Sequence, residues 1–288
     1  MEGRAVAPAA GTVLNALATG TGSAFAIDLE TTAEVRLDPE RAGVEGVVVD
    51  HPDADTALIE RCVERVVARF GDGEGGRVET DSEVPMAAGL KSSSAAANAT
   101  VLAALDALEV PVGSDGQLDR LDACRIGVEA ARETGVTVTG AFDDASASML
   151  GGVTVTDNDA DELLAREAVD WSVLVWTPPE RAFSADADVD ACRRVAPVAE
   201  HVAELALEGR YGLAMTLNGL AFTAALEFPA APLLTALGPA DGASLSGTGP
   251  SYVAVGERTA LESLRADWSQ RDGTTWLTTT RTDGTRTR

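Results

Sequence analysis

An α+β fold is predicted by three observations. Strand-like and helix-like segments both recur along the 288 residues without the strict alternation that a doubly wound sheet requires. The opening stretch reads almost wholly as strand, whereas the long apolar-periodic helices come later. Hydrophobic residues make up 45% of the chain, enough to fill the core of one large domain or two modest ones.

Taken in order, strands are expected at 4–7, 23–29 and 32–37, the last alternating Ala33, Val35 and Leu37 against Thr32, Glu34 and Arg36. Gly11, Gly20 and Gly22 mark the turns. Helical spacing of Ala57, Leu58, Cys62, Val66 and Phe70 predicts a helix over 55–70, which the glycines of 71–76 end. A short strand at 80–84 leads through the small-residue turn 85–91 into an Ala-rich helix over 92–108. After a turn-rich stretch at 112–116 come helices at 118–133 and 146–150, then a strand at 153–156. The acidic stretch 157–161 reads as a linker, which divides the chain into domains of 1–158 and 159–288. Beyond it, strands are expected at 171–176, 251–255 and 274–279, helices at 189–207, 211–226 and 261–268, and a turn at 244–249. The final Arg/Thr tail is expected to fray. No internal repeat is present.

Acidic residues outnumber basic ones 46 to 22, for a formal charge of −24. Such a field repels nucleic-acid backbones and anionic membranes unless a basic patch intervenes, and the sequence contains none. All basic residues but one are arginine; Lys91 is the single lysine. Self-repulsion on this scale is tolerable when salt shortens the Debye length to roughly 3 Å near 1 M, so a halophilic, cytoplasmic protein is expected. A GC-rich genome favours the same residues. Cys62, Cys124 and Cys192 are too widely spaced for a disulfide framework or a zinc site. His51 and His201 lack metal-ligand spacing and read as solvated surface residues. Residues 12–29 are interrupted by Gly20, Gly22 and Asp28, and 211–228 by Asn218 and Glu227, so no membrane span is expected.

The segment Pro85-Met-Ala-Ala-Gly-Leu-Lys-Ser-Ser-Ser-Ala-Ala-Ala96 is a strand-loop-helix junction built of small residues. A helix start leaves backbone N–H groups free and carries partial positive charge, so a small-residue entry admits a phosphate. Ser92, Ser93 and Ser94 add hydroxyls that can cap the helix, donate to phosphate oxygens or ligate magnesium. One serine cap would explain an ordinary helix; three serines after the chain's only lysine exceed that need, and Lys91 is expected to engage phosphate. Leu90 and Pro85 stand where a Walker loop needs glycine, which disfavours a P-loop fold.

The pattern Pro85-x-x-x-Gly89-Leu90-x-Ser92-Ser93-Ser94-Ala95 resembles the phosphate loop of the GHMP kinases, the family of galactokinase, homoserine kinase, mevalonate kinase and phosphomevalonate kinase. Thr139-Gly-Ala-Phe-Asp-Asp-Ala-Ser-Ala-Ser-Met-Leu-Gly-Gly152 resembles the family's catalytic segment, and Ser244-Leu-Ser-Gly-Thr-Gly-Pro-Ser251 its late glycine-rich motif. The resemblance implies the GHMP kinase fold: a ribosomal protein S5-like N-terminal domain, then a ferredoxin-like α/β sandwich. It implies ATP and Mg2+ as cofactors, with Pro85, Ala88, Gly89, Leu90, Lys91, Ser92, Ser93, Ser94, Ala95, Gly247, Thr248 and Gly249 around the nucleotide. Asp144, by its distance to Gly151, matches the catalytic aspartate, which accepts the acceptor's proton or holds its hydroxyl in line. Ser93 and Glu133 match the magnesium ligands, and Glu129 lies one turn from Glu133. One departure is Pro8-Ala-Ala-Gly11, where several members carry a lysine.

Within the family, 10–20, Gly22-Ser-Ala-Phe-Ala-Ile-Asp28, the triple serine and 139–144 are most similar to the archaeal-type shikimate kinases. That branch implies phosphorylation of the 3-hydroxyl of shikimate in aromatic amino-acid synthesis; homoserine kinase, pantoate kinase and a non-catalytic metabolite sensor are the alternatives. Small molecules are the expected partners of a monomer or homodimer. Asn15, Asp143, Arg4 and Arg181 are the candidate acceptor contacts, the arginines because a planar guanidinium pairs with a carboxylate.

Overall fold

The chain starts with one long antiparallel ladder, on which the first half of the molecule is built. A computed structural model describes residues 1–85, 87–113, 118–137, 140–182 and 184–288, the Ser184 side chain excepted. Met86, Thr139 and most of the turn expected at 112–116 lie outside the described residues. Strands β1 (Glu2–Leu14) and β2 (Thr21–Asp38) pair from Glu2↔Arg36 to Leu14↔Ser23. Gly11 is not at a turn: it sits inside β1 opposite Phe25, whose ring would lie 2.5 Å from a Cβ there.

Strand β2 is the hub of a 7-stranded sheet. Strand β3 (Val44–Val48) lies parallel to β4 (Gly75–Ser82), and helix α1 (Ala57–Phe70) makes the crossover that a parallel pair requires. Strand β4 pairs with the C-terminal half of β2, and β5 (Val153–Asp157) with its N-terminal half. The stretch 157–161 is no linker. It is the turn of a hairpin from β5 into β6 (Glu162–Glu167), so the boundary expected at 158/159 falls inside a hairpin.

Helices α2 (Ser92–Ala107), α3 (Arg120–Glu133) and α4 (Phe142–Leu150) complete this half. Helix α2 carries no charge before Asp106 and is buried along nearly its whole length against β1, β2 and its neighbouring helices. Its alanines favour the helix and keep its diameter small, and Gly3 lets the strand approach: a Cβ there would meet the Ala103 carbonyl at 2.1 Å.

The second half holds a 4-stranded antiparallel sheet made of β7 (Ser172–Thr177), β8 (Gly242–Leu245), β9 (Tyr252–Gly256) and β10 (Thr274–Thr279), in the order β10-β7-β9-β8. The helix expected over 189–207 breaks into α5 (Val189–Arg194) and α6 (Ala196–Leu207), because Pro197 is tolerated only in a first turn. Helix α7 (Tyr211–Ala225), α8 (Ala231–Ala236) and α9 (Arg258–Trp268) follow. The core of this half takes in Ala9, Val13 and Leu14 of β1, so the first strand serves both halves.

The C-terminal tail does not fray. Strand β11 (Arg286–Thr287) adds to the edge of β1, and the Glu30 carboxylate accepts hydrogen bonds from Arg281 at 2.9 Å, Arg286 at 2.7 Å and Arg288 at 2.6 Å. Burial raises the pKa of Glu30, but hydrogen bonds from Arg286 and Arg281 outweigh it and hold the group below the usual glutamate range. A depressed carboxylate contributes stability above its unfolded pKa and loses it as the pH falls through the folded value. Glu30→Gln should therefore destabilise the fold by about 1–3 kcal/mol near neutral pH, with the deficit shrinking on acidification below the usual glutamate range; denaturant titrations at two pH values in one salt measure both.

Candidate active site

Three residues of the loop before α2 take left-handed backbone conformations: Ala87 (φ 54), Gly89 (φ 76) and Lys91 (φ 64). Lys91 itself occupies the N-cap position and makes no side-chain cap, so the serines are not the cap; Ser92, Ser93 and Ser94 form the first helical turn. Gly89 allows a backbone-to-backbone approach, since a Cβ there would lie 2.3 Å from the Ser246 carbonyl oxygen and 2.7 Å from that of Gly249. Ser246 Oγ donates to the Gly89 carbonyl at 2.8 Å. The glycine-rich turn is also tied to β1, where Thr12 Oγ1 accepts from Gly247 N at 2.7 Å. Just beyond that strand, Asn15 Nδ2 donates to Gly247 O at 2.9 Å.

On the other side of the same space, α4 begins after Ala141 (φ 51) and carries Asp143 and Asp144 in its first turn, where the helix dipole favours negative charge. Asn158, fully buried, clamps Asp143: its Nδ2 donates to Asp143 Oδ1 at 2.7 Å, and its Oδ1 accepts from Asp143 N at 3.1 Å. Gly22 makes room, because a Cβ there would lie 2.5 Å from Asp143 Oδ2. Asp144 is left to reach across the cleft, where its Oδ1 lies 2.8 Å from Lys91 Nζ. Both side chains are largely shielded, Asp144 at 14% and Lys91 at 7% exposure. Burial, first, and the neighbouring Asp143 charge outweigh Lys91 and push the Asp144 carboxyl above the usual aspartate range.

Loop and aspartates line one cleft of about 1030 Å³, at the upper end of ligand-site volumes of roughly 300–1,000 Å³ and ample for a nucleotide with a small acceptor. Of the nucleotide contacts expected from sequence, Gly89, Lys91, Ser92, Ser93, Gly247 and Thr248 line it. Pro85, Ala88, Leu90, Ser94, Ala95 and Gly249 do not. Ala88, Leu90, Ser94 and Ala95 are buried, and Gly249 lies against the Phe228 ring, 2.6 Å from where its Cβ would be. Asn15 lines the cleft, but its amide is committed to Gly247 O and its Oδ1 accepts from Leu17 N, so it braces the turn. Arg4 is elsewhere, on β1, with its guanidinium 3.4 Å from Glu34. Arg181 lines the cleft, held beside the loop by Ala182 N donating to Ala87 O at 3.0 Å, and makes no ion pair among the described residues.

Glu133 corrects a sequence expectation. It stands at the far end of α3 outside the cleft, engaged by Arg61 and Arg65, whose hydrogen bonds hold its carboxyl at about 2. Glu129 is likewise taken by Arg65. The pair Ser93 and Glu133 is therefore not assembled, and the described residues contain no cluster of three or more His, Cys, Asp or Glu side chains able to hold a metal. Sequence reasoning missed Asn158, Gly22 and the cleft-lining Asp50, Asp53 and Asp55 between β3 and α1; the only signal for Asn158 was an asparagine inside an acidic turn.

Residues 57–152 match the family model for the N-terminal domain of GHMP kinases. The chain is 65% identical over 287 residues to the shikimate kinase of Halobacterium salinarum, covering 100% of both chains. The chain belongs to the shikimate kinase branch of the GHMP kinases. A second member, the shikimate kinase of Methanothrix thermoacetophila, is 52% identical over 274 residues, 95% of this chain and 92% of that one. The fold is shared more widely: the homoserine kinase structure from Cytophaga hutchinsonii superposes with a TM-score of 0.76 at 17% identity, over 100% of this chain and 97% of that one. Kinship with a Halobacterium protein agrees with the salt-adapted composition, and no described helix is long and apolar enough to cross a membrane. The Asn158 clamp fixes Asp143 beside Asp144 at the start of α4. Asn158→Ala should cost about 1–3 kcal/mol, because Asp143 loses two hydrogen bonds in a buried site; thermal melts of the two proteins measure it.

Proposed function

We propose that this GHMP kinase transfers the γ-phosphoryl group of ATP to the 3-hydroxyl of shikimate. The observation that carries the assignment is the shared cleft, with the free N–H groups at the start of α2 on one side and Asp144 on the other. The phosphates would rest on the first turn of α2, where backbone donors and the helix dipole offset negative charge within an acidic protein. Gly89 and Gly247 keep side chains out of that space, and Ser92 and Ser93 add hydroxyl donors. The acceptor hydroxyl oxygen attacks the γ-phosphorus, the bond from that phosphorus to the bridging oxygen breaks, and ADP departs. Asp144 takes the hydroxyl proton, and burial beside the Asp143 charge, which raises its carboxyl above the usual aspartate range, makes it the stronger base for that step.

Magnesium accompanies ATP in such transfers by neutralising phosphate charge. Of the two protein ligands expected for it, only Ser93 lines the cleft, so the described residues do not make the anticipated site.

Shikimate carries a carboxylate, and among the described residues Arg181 is the arginine that lines the cleft without an acidic partner. Its planar fork can hold a carboxylate through two hydrogen bonds. Homoserine and pantoate carry carboxylates as well, so the arginine suits all three acceptors; kinship to a protein named shikimate kinase at 65% identity favours shikimate among them.

A coupled ADP-release assay in high salt should detect turnover with shikimate, and Asp144→Asn should lower kcat by about 10²–10⁴-fold while ATP still binds. Turnover with another alcohol and none with shikimate would displace the acceptor assignment; ATP binding with no transfer to any acceptor would mark a sensor. Arg181→Ala should raise the KM for shikimate by about 10- to 100-fold with little effect on the KM for ATP, in steady-state titrations of each substrate. An unchanged shikimate KM would remove Arg181 from the acceptor site.

A further inference from the structure

The one lysine of the chain sits in the phosphate loop, yet its ammonium is committed elsewhere. Lys91 Nζ lies 2.8 Å from Asp144 Oδ1, and the lysine side chain is 7% exposed. Three features hold it there. The left-handed backbone of Lys91 (φ 64) starts α2, the glycine at 247 leaves space where a Cβ would fall 2.8 Å from Nζ and 3.6 Å from Cε, and Asp144 supplies the counter-charge.

That geometry also explains why a lysine stands in a chain whose other basic residues are all arginine. A compact ammonium fits against the bare Gly247 backbone, whereas a planar guanidinium is broader and would displace the turn. The charged surroundings leave Asp144 in need of such a partner. Asp143 stands beside it on α4, Asp50, Asp53 and Asp55 line the cleft from the segment between β3 and α1, and Asp186 lines it after β7; besides Lys91, the basic side chains lining the cleft are His51 and Arg181.

We propose that Lys91 is a positioning residue for Asp144 rather than chiefly a nucleotide anchor, holding the carboxylate at a fixed point across the cleft from the start of α2. The proposal rests on Asp144 being the proton acceptor assigned above. An ammonium has three donors, so Lys91 keeps capacity for a phosphate oxygen while bound to Asp144, and the carboxylate is set at a constant distance from the bound nucleotide. A lysine acting through Asp144 affects turnover; one acting as an anchor affects nucleotide affinity.

The test separates these effects. Lys91→Met should lower kcat by about 10²-fold or more at saturating substrates, while calorimetry shows ATP affinity changed by less than about fivefold. Lys91→Arg should not restore turnover. Adding Lys91→Met to Asp144→Asn should cost little beyond Asp144→Asn alone, because both changes act on one group. Since Lys91 is the only lysine, selective carbon-13 lysine labelling of the otherwise unaltered chain yields one side-chain signal, which should shift in Asp144→Asn; this readout does not require a Lys91 variant to fold. The proposal is overturned if Lys91→Met weakens ATP binding by about 10²-fold with kcat retained, if Lys91→Arg turns over normally, or if the lysine signal ignores Asp144→Asn. Full turnover by Asp144→Asn would instead remove the assigned proton acceptor, an outcome recognisable without any Lys91 variant.

Discussion

Two backbone segments separated by 157 positions in sequence meet at Gly89 and Ser246, and the active cleft depends on that contact. Polypeptide backbones approach this closely only where no Cβ intervenes. At Gly89 a methyl group would overlap two carbonyl oxygens, and at Gly247 it would reach the lysine ammonium. The contact joins a loop of the first half to a turn of the second, with β1 bracing both through Thr12 and Ala10 and Asn15 following it. Asn218 of α7 extends the brace by accepting from Asn15 N and donating to Ser244 Oγ. Once this junction forms, the start of α2, the lysine and the aspartates are confined to one space.

A chain of formal charge −24 must still receive a triphosphate and an acidic acceptor. The answer is local. Most of its arginines are neutralised on the surface or in structural clusters, as with Arg61 and Arg65 on Glu133 or the three arginines on Glu30. Among the described residues, the groups lining the cleft that can meet an anion are backbone N–H at a helix start, one buried ammonium, His51 and one guanidinium without an ion-pair partner, set among several aspartates. Exposed ion pairs add little individually and are screened by salt, whereas charges held out of water in a cleft are screened much less. The protein can therefore carry an acidic coat suited to salt and keep a cleft that accepts anions.

Much of the secondary structure was legible from periodicity. Helices with a clear apolar stripe, such as α1, and strands rich in β-branched and aromatic residues, such as β10, fall close to their expected bounds. The errors share a physical origin in long-range pairing. Strands β3 and β6 are short and contain no fully buried residue, so local hydrophobicity does not mark them. Gly11 reads as a turn residue until Phe25 is known to lie across the ladder. The Arg/Thr tail looks unanchored until Glu30, over 250 residues earlier, is seen to bind three of its arginines.

The sequence by itself determined the α+β class, the small-residue loop before α2, the aspartate ahead of the Gly-Gly pair and the late glycine turn, because each is a local pattern with a local cause. Tertiary structure alone decided which polar groups are free to act. It committed Glu133 to two arginines and Asn15 to a turn, clamped Asp143 with an asparagine hidden in an acidic hairpin, and set the single lysine against Asp144. The reason is that a side chain's chemistry depends on its partners, and in this fold the deciding partners lie tens to hundreds of residues away.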